Sequence, residues 1–294
     1  MNKFITIVLV IFLAACASSK NQNYVEHVKR TSEVTPGSIL LVKMTPDQKV
    51  DFYGEVDLDD VNADHGSMMY VANTPGVFAA SVLAHAVIAG SANDNQKAKA
   101  QEEANKVLLP YADTIDSLTE ASLIQGALDS REFSTYEFSP WSESSQSGWS
   151  VVVKPVFLLS QDQRTMTLKN AVTLIANDNE KTPAYQNLIE VVSIPGDVEG
   201  VLAQEEIPFV AGELISISLA ILEEELQGKH VDKTKQKTLS YQQGGKKKFE
   251  RGVILSEQCD RVTFRSLRGW VKSVPGGTGE CEVQARTDAA AVQI

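Results

Sequence analysis

The sequence predicts an α+β fold in which an antiparallel β-meander packs with two to three helices. Residues 165–174 alternate apolar and polar side chains, which is the period of a half-buried strand. Residues 205–227 repeat apolar side chains along one broad face and stop at Gly228, a residue suited to a helix C-cap. Short polar turns at 161–164 and 177–184 separate strand-like segments and favour an antiparallel arrangement. Helices that alternate with groups of such strands are typical of the α+β class.

The N-terminal half is expected to contain strands followed by helices. Apolar segments with strand character lie at 38–44, 49–56 and 67–72. The alanine-rich stretch 77–109 predicts a helix that ends before Pro110. Its first part, 77–92, is apolar on all sides, which favours a buried core helix, with a subunit contact or a membrane-inserting element as the alternative. A second helix is expected over 115–128.

The C-terminal half is expected to be richer in strands. Four of them are predicted at 132–138, 148–159, 165–176 and 185–194, ahead of the amphipathic helix. Residues 229–248 are polar and predict a linker or loop, and further strands are expected at 252–256 and 261–272. The predicted units are a main α+β domain at 37–228 with 37–130 as a candidate subdomain, the linker at 229–248, and a C-terminal β segment at 249–294.

The first sixteen residues have the pattern of an export signal. Lys3 supplies a positive charge, residues 4–12 are apolar except for Thr6, and small residues lead to Cys16. A transmembrane helix needs about 20 apolar residues, so a cleaved signal peptide at 1–15 explains this stretch better. An ordinary secretory signal with an incidental cysteine is the alternative.

The tetrapeptide Leu13-Ala14-Ala15-Cys16 resembles the lipobox of bacterial lipoprotein precursors. The resemblance implies diacylglycerol transfer to the Cys16 sulfur, cleavage before Cys16 and acylation of the new amino end by a fatty acid such as palmitate. Because Ala17 rather than Asp follows the cysteine, it also implies a lipid anchor in the outer membrane, on the periplasmic side of the cell envelope. Two or three acyl chains anchor a protein stably, whereas one does not. The polar residues 16–36 are then an acylated flexible tether.

Charge is distributed unevenly along the chain. The formal net charge is −11, but the stretch 246–272 carries +5 and the rest of the chain −16. Such asymmetry can form a docking face for an anionic partner, for which the candidate residues are Lys246, Lys247, Lys248, Arg251, Arg265 and Arg268. A basic segment packed beside the chain's own acidic surface is the alternative. The acidic balance argues against nucleic-acid binding.

Two cysteines remain once Cys16 is assigned to lipid. An even pair in an oxidising compartment predicts a disulfide between Cys259 and Cys281. The prediction carries a geometric condition, because the Cα atoms must come within about 7 Å. A single straight strand over 262–274 would keep them apart, so the bond requires a bend, for which Gly269 is a candidate.

Motifs for chemistry are missing from the sequence. Asp60, Asn62 and Asp64 alternate like the first ligands of a calcium loop, but His65 and Val71 stand where the loop needs Gly and Glu. We therefore expect no metal site and no cofactor. The sequence has no G-x-S-x-G, no Ser-x-x-Lys and no H-E-x-x-H motif.

Three functional hypotheses follow from these observations. The preferred one is a non-enzymatic outer-membrane lipoprotein that binds or scaffolds an envelope protein or an anionic envelope polymer. The first alternative is a subunit of an oligomeric secretion or pore assembly, with 77–92 buried against other subunits or lipid. The second is an envelope hydrolase whose carboxylates or nucleophile are brought together only by the fold. The sequence leaves the oligomeric state open.

Overall fold

The structure is a computed structural model that describes residues 34–44, 47–56, 94–140, 148–176, 183–195, 200–230, 235–258 and 260–276. Ten strands in this part of the chain form one mixed sheet. They are β1 (Ile39–Lys43), β2 (Asp51–Gly54), β3 (Glu137–Pro140), β4 (Trp149–Leu159), β5 (Met166–Ala176), β6 (Tyr185–Val192), β7 (Lys237–Gln243), β8 (Lys246–Gln258), β9 (Arg261–Ser266) and β10 (Val271–Pro275). The described helices are α1 (Asp94–Ala104), a 3-10 helix (Asn105–Tyr111), α2 (Ala112–Ser117), α3 (Glu120–Asp129), a 3-10 turn (Gln204–Glu206) and α4 (Ile207–Leu226).

The sheet has the order β3-β1-β4-β5-β6-β10-β9-β8-β7, with β2 also paired to β4. Strands β4, β5 and β6 are successive antiparallel neighbours, so the predicted α+β fold with an antiparallel meander is confirmed. The predicted first strand of that meander, now β3, instead pairs in parallel with β1. Parallel pairs also join β1 and β2 to β4 and β10 to β6.

The main core lies between the sheet and helix α4. Leu168 and Val172 of β5 and Leu214 and Ile215 of α4 belong to one buried apolar cluster. On the same side of β5, the Asn170 side-chain amide donates a hydrogen bond of 3.0 Å to Ser218 of α4. Because side chains alternate along a strand, the residues between these, such as Lys169, lie on the opposite side, which we call the inner face.

The C-terminal strands curl over the inner face. At the end of β7, the Gln243 amide donates to the Thr167 hydroxyl of β5 at 3.2 Å, and the Gly244 N–H donates to Thr165 at 3.3 Å. Four strands separate β7 from β5 in the sheet order, so these contacts require a strongly curved sheet. A small apolar cluster that includes Tyr241 and Phe264 fills the curl.

The prediction of a linker or loop at 229–248 is wrong over its second half. Residues 237–243 form β7, and Gly244 and Gly245, both with positive φ, connect it tightly to β8. The outward side chains of β7 are polar and exposed, so Leu239 and Tyr241 alone carry the alternating apolar pattern. Two apolar residues are too weak a signal for a strand.

The predicted strand 261–272 is two strands joined by a turn. Gly269 adopts a φ of +81° in that turn, and β9 and β10 pair as an antiparallel hairpin. Positive φ is accessible to glycine without a steric penalty. The bend that the sequence required at Gly269 is therefore present.

The helical region after residue 93 differs in detail from the prediction. The helical path continues through Pro110, which lies inside the 3-10 helix. The predicted helix 115–128 is interrupted at Thr119, whose side chain and that of Ser122 form a capping box at the start of α3. The predicted elements 67–72 and 77–92 lie outside the described residues. Within the described residues, no helix is both long and apolar enough to span a bilayer.

Candidate functional site

Several of the predicted site residues lie outside the described part of the chain. They are Cys16, Asp60, Asn62, Asp64, Cys259 and Cys281. Among the described residues, no group of three His, Cys, Asp or Glu side chains is arranged to hold a metal ion.

The strand ends that precede Cys281 and follow Cys259 are in contact. The Gly276 N–H donates a hydrogen bond of 2.6 Å to the Asp260 carbonyl oxygen. Cys259 directly precedes Asp260, and Cys281 follows Gly276 by five residues. The turn at Gly269 thus removes the obstacle of a straight strand, and the disulfide stays a prediction.

The basic stretch forms an exposed surface on one face of the β7–β8 hairpin. Lys247, Phe249 and Arg251 alternate along β8 and are all exposed, Phe249 to 69%. Their partners across the hairpin are the exposed polar residues Gln242, Ser240 and Thr238 of β7. We call these six residues the outer hairpin face. It carries two cations and no carboxylate, and the Lys247 ammonium lies 5.5 Å from the centre of the Phe249 ring.

Arg265 does not belong to this exposed surface, contrary to the prediction. Its side chain is 6% exposed and makes a bidentate contact with Glu225 of α4, at 2.8 and 3.2 Å. A guanidinium placed beside a buried carboxylate is held there by charge-assisted hydrogen bonds. Arg268 is exposed and stacks over the Trp270 ring at 5.2 Å.

Glu225 also anchors a second cation at the end of α4. His230 is 3% exposed, and its two ring nitrogens lie 2.8 Å from Glu225 and 2.8 Å from Glu224. Burial alone would lower the pKa of His230, but the two carboxylates outweigh it and raise the pKa to about 9. The protonated ring therefore fastens the segment after α4 to the C-terminal end of that helix.

A row of charged side chains crosses the inner face of the sheet. The register places Lys169 of β5 opposite Glu190 of β6, and Glu190 opposite Lys272 of β10. The Lys272 ammonium contacts Glu190 at 3.3 Å and Glu250 of β8 at 2.9 Å. The Tyr241 hydroxyl donates to the same Glu250 carboxylate at 3.2 Å. We call Lys169, Glu190, Lys272 and Glu250 the inner charged row.

Electrostatics distinguish the two lysines of the inner charged row. Burial lowers the pKa of Lys169, and its carboxylate neighbours do not restore it. Burial acts in the same direction on Lys272, but Glu190 and Glu250 outweigh it and raise the pKa of Lys272. The pKa of Glu190 is lowered because Lys272 and Lys169 outweigh its burial. Lys272 is therefore a firmly paired cation, and Lys169 is not.

A small cleft opens where the β7–β8 turn meets the end of β2. It has a volume of about 60 Å³ and is lined by Glu55, Val56, Ser160, Gln161, Gln243, Gly244, Lys246 and Lys248. The Gln243 amide donates to Glu55 at 3.1 Å, and the Lys248 ammonium lies 3.8 Å from the same carboxylate. Burial is the main cause that raises the pKa of Glu55. Two of the predicted basic residues, Lys246 and Lys248, thus face this cleft rather than the outer hairpin face.

Neither the sequence nor the fold has a significant match among protein-family models, curated proteins or solved structures.

Sequence reasoning overlooked the inner charged row. Lys169 fell among the polar positions of an alternating strand, which are normally solvent-exposed. The one signal was a lysine between threonines on a strand that is buried along nearly its whole length. Recognising it required the curled β7–β8 hairpin, which the sequence had not predicted.

Proposed function

We propose that this protein is a lipid-anchored outer-membrane lipoprotein facing the periplasm, where it binds or scaffolds an anionic envelope partner without catalysing a reaction. The outer hairpin face is the docking surface in this proposal. The observation that carries it is the alternation of Lys247, Phe249 and Arg251 on one exposed strand face without an opposing carboxylate.

The composition of this face suits recognition of an anionic surface. Two cations flank an exposed aromatic ring, so the face offers both charge attraction and apolar contact area. Ser240, directly across from Phe249, has a short side chain, and the ring is 69% exposed. A −16 charge on the rest of the chain repels anions elsewhere and directs them to this stretch.

The lipid anchor rests on the lipobox resemblance at Cys16. A polar tether of about twenty residues between Cys16 and β1 would let the folded domain reach partners within the periplasm. Replacement of Cys16 by serine is expected to abolish labelling by a radioactive fatty acid. Label that persists in the variant would contradict the anchor.

The docking surface is tested by crosslinking and pulldown from cell envelopes. The double variant Lys247→Glu/Arg251→Glu is expected to lose the crosslinked partner, because it reverses the charge of the outer hairpin face. The matched control is Lys99→Glu/Lys106→Glu, which makes the same change in net charge on the helical region. Equal recovery of the partner from both variants would contradict a role for the face.

The identity of the crosslinked product decides between the functional hypotheses. A different envelope protein or an anionic polymer supports the binding and scaffolding role. Crosslinks only between copies of this chain, together with an oligomer after detergent extraction, would favour the assembly-subunit hypothesis instead.

A further inference from the structure

Lys169 is a half-buried cation without a direct partner among the described residues. Among the described residues its ammonium makes no hydrogen bond and no ion pair within 4 Å. Glu190, directly across from it in the register, contacts Lys272 instead. A lysine ammonium offers three hydrogen-bond donors, and leaving them unmet in a partly buried place is costly. An unpaired cation retained at such a position points to a ligand.

Lys169 lies next to the cleft at the β7–β8 turn. Thr167 is two residues before it on the same face of β5, at a spacing of about 7 Å. The Thr167 hydroxyl accepts from the Gln243 amide, and Gln243 lines the cleft. Glu55, another cleft residue, is close enough to Lys169 to act on its charge. Lys169 does not itself line the cleft, but its long flexible stem can bring the ammonium toward it.

The lining of the cleft suits a small anion. Lys246 and Lys248 line the cleft and add their positive charge to that of the nearby Lys169. The carboxyl of Glu55 has a raised pKa because it is largely buried. A carboxyl that is more readily protonated repels an anion less.

We propose that Lys169, together with Lys248, binds a small carboxylate in this cleft, with Glu55 as the neighbouring hydrogen-bonding group. The volume of about 60 Å³ sets the size of the ligand, because one water-sized group takes roughly 10–15 Å³ on this scale. The cleft thus has room for about four non-hydrogen atoms, the size of a carboxylate group with one or two attached carbons. This site is separate from the outer hairpin face and does not depend on the proposed docking role.

The carboxylate can belong to a free organic acid or to the end of a peptide. Acetate, with chloride at equal ionic strength as the reference, probes the first source. Tri-alanine, compared with tri-alanine amide, probes the second. Backbone amide shifts of Gly244 and Gln243 in the Cys16→Ser protein report binding. We expect saturable shifts with acetate, with tri-alanine or with both, and at least tenfold weaker binding of the amide.

The matched variants are Lys169→Met and Lys99→Met, the second on the exposed side of α1. Lys169→Met is expected to weaken binding at least tenfold, and Lys99→Met to leave it unchanged. Lys248→Met provides a second variant, in the lining of the cleft itself, and is expected to weaken binding as well. The proposal is overturned if neither probe saturates, if the amide binds as tightly as the acid, or if Lys169→Met binds as tightly as the parent protein.

Discussion

Replacement of Lys272 by methionine is expected to destabilise the fold much more than the same replacement at Lys169. The two lysines lie in one row on the inner face, separated by Glu190. Methionine keeps the unbranched stem of lysine and removes only the charge and the donors. The comparison therefore isolates the difference between a paired and an unpaired buried cation.

The expected magnitude follows from what each variant leaves behind. Without Lys272, the carboxylates of Glu190 and Glu250 lose their direct contacts at 3.3 and 2.9 Å. Their side chains are only 7% and 26% exposed, so water replaces the lost partner poorly. Breaking such a buried pair costs about 3–5 kcal/mol. For a domain of this size that lowers the melting temperature by about 6–20 °C.

Lys169→Met removes a cation that has no direct partner in the part of the chain that the structure describes, so we expect a change within about 1 kcal/mol, of either sign. Urea denaturation followed by circular dichroism measures both variants at one pH. The double variant Glu190→Gln/Lys272→Met is expected to recover part of the loss, because it removes one of the two stranded charges. If Lys169→Met costs as much as Lys272→Met, the Lys169 ammonium is an ordinary member of the ion network, and the distinction between the two lysines is wrong.

Three further predictions address other parts of the fold. Because the pKa of His230 is raised to about 9 in the folded protein, from about 6.5 in the unfolded chain, the folded state binds more protons. The resulting stabilisation is complete below pH 6.5 and is lost as the pH rises to 9. The urea midpoint of the parent protein should therefore fall across this window relative to that of the variant His230→Asn. If the midpoints of the two proteins change in parallel with pH, the raised pKa of His230 is wrong. Gly252→Ala should lower the free energy of unfolding by about 1–3 kcal/mol, because a Cβ there would lie 2.5 Å from a backbone oxygen of β9. The control Gly126→Ala, with open space around it in α3, should be neutral or stabilising in the same urea denaturation assay. Mass spectrometry of the non-reduced protein should find Cys259 linked to Cys281, and two free thiols would exclude the disulfide.

The sequence was most informative where one face of an element meets the core and the other does not. The predicted strands 165–176 and 185–194 match β5 (Met166–Ala176) and β6 (Tyr185–Val192) closely. Helix 205–227 matches α4 (Ile207–Leu226) to within two residues. In each case a run of apolar side chains long enough to show its period determines the element.

Pairings between distant residues could not be predicted from the sequence. Arg265 has the composition of a surface cation, and only the fold brings it to Glu225, forty positions away. The sequence placed Lys169 at a solvent-facing strand position. The β7–β8 hairpin lies over that face of the sheet, and its own polar sequence did not predict strands. No local sequence pattern shows which carboxylate a lysine will contact. The different roles of Lys272 and Lys169 therefore became visible only in the folded structure.

The parallel strand pairs have a consequence for the timing of folding. Leu40 pairs with Trp149, and Ile189 pairs with Val271, so these parallel pairs cannot form until distant parts of the chain are present. Closing such large loops before any contact is gained makes folding slow. Among the described strands β10 comes last in the chain and joins β6 of the meander to β9 of the curled hairpins, so the sheet is complete only when this C-terminal strand is present.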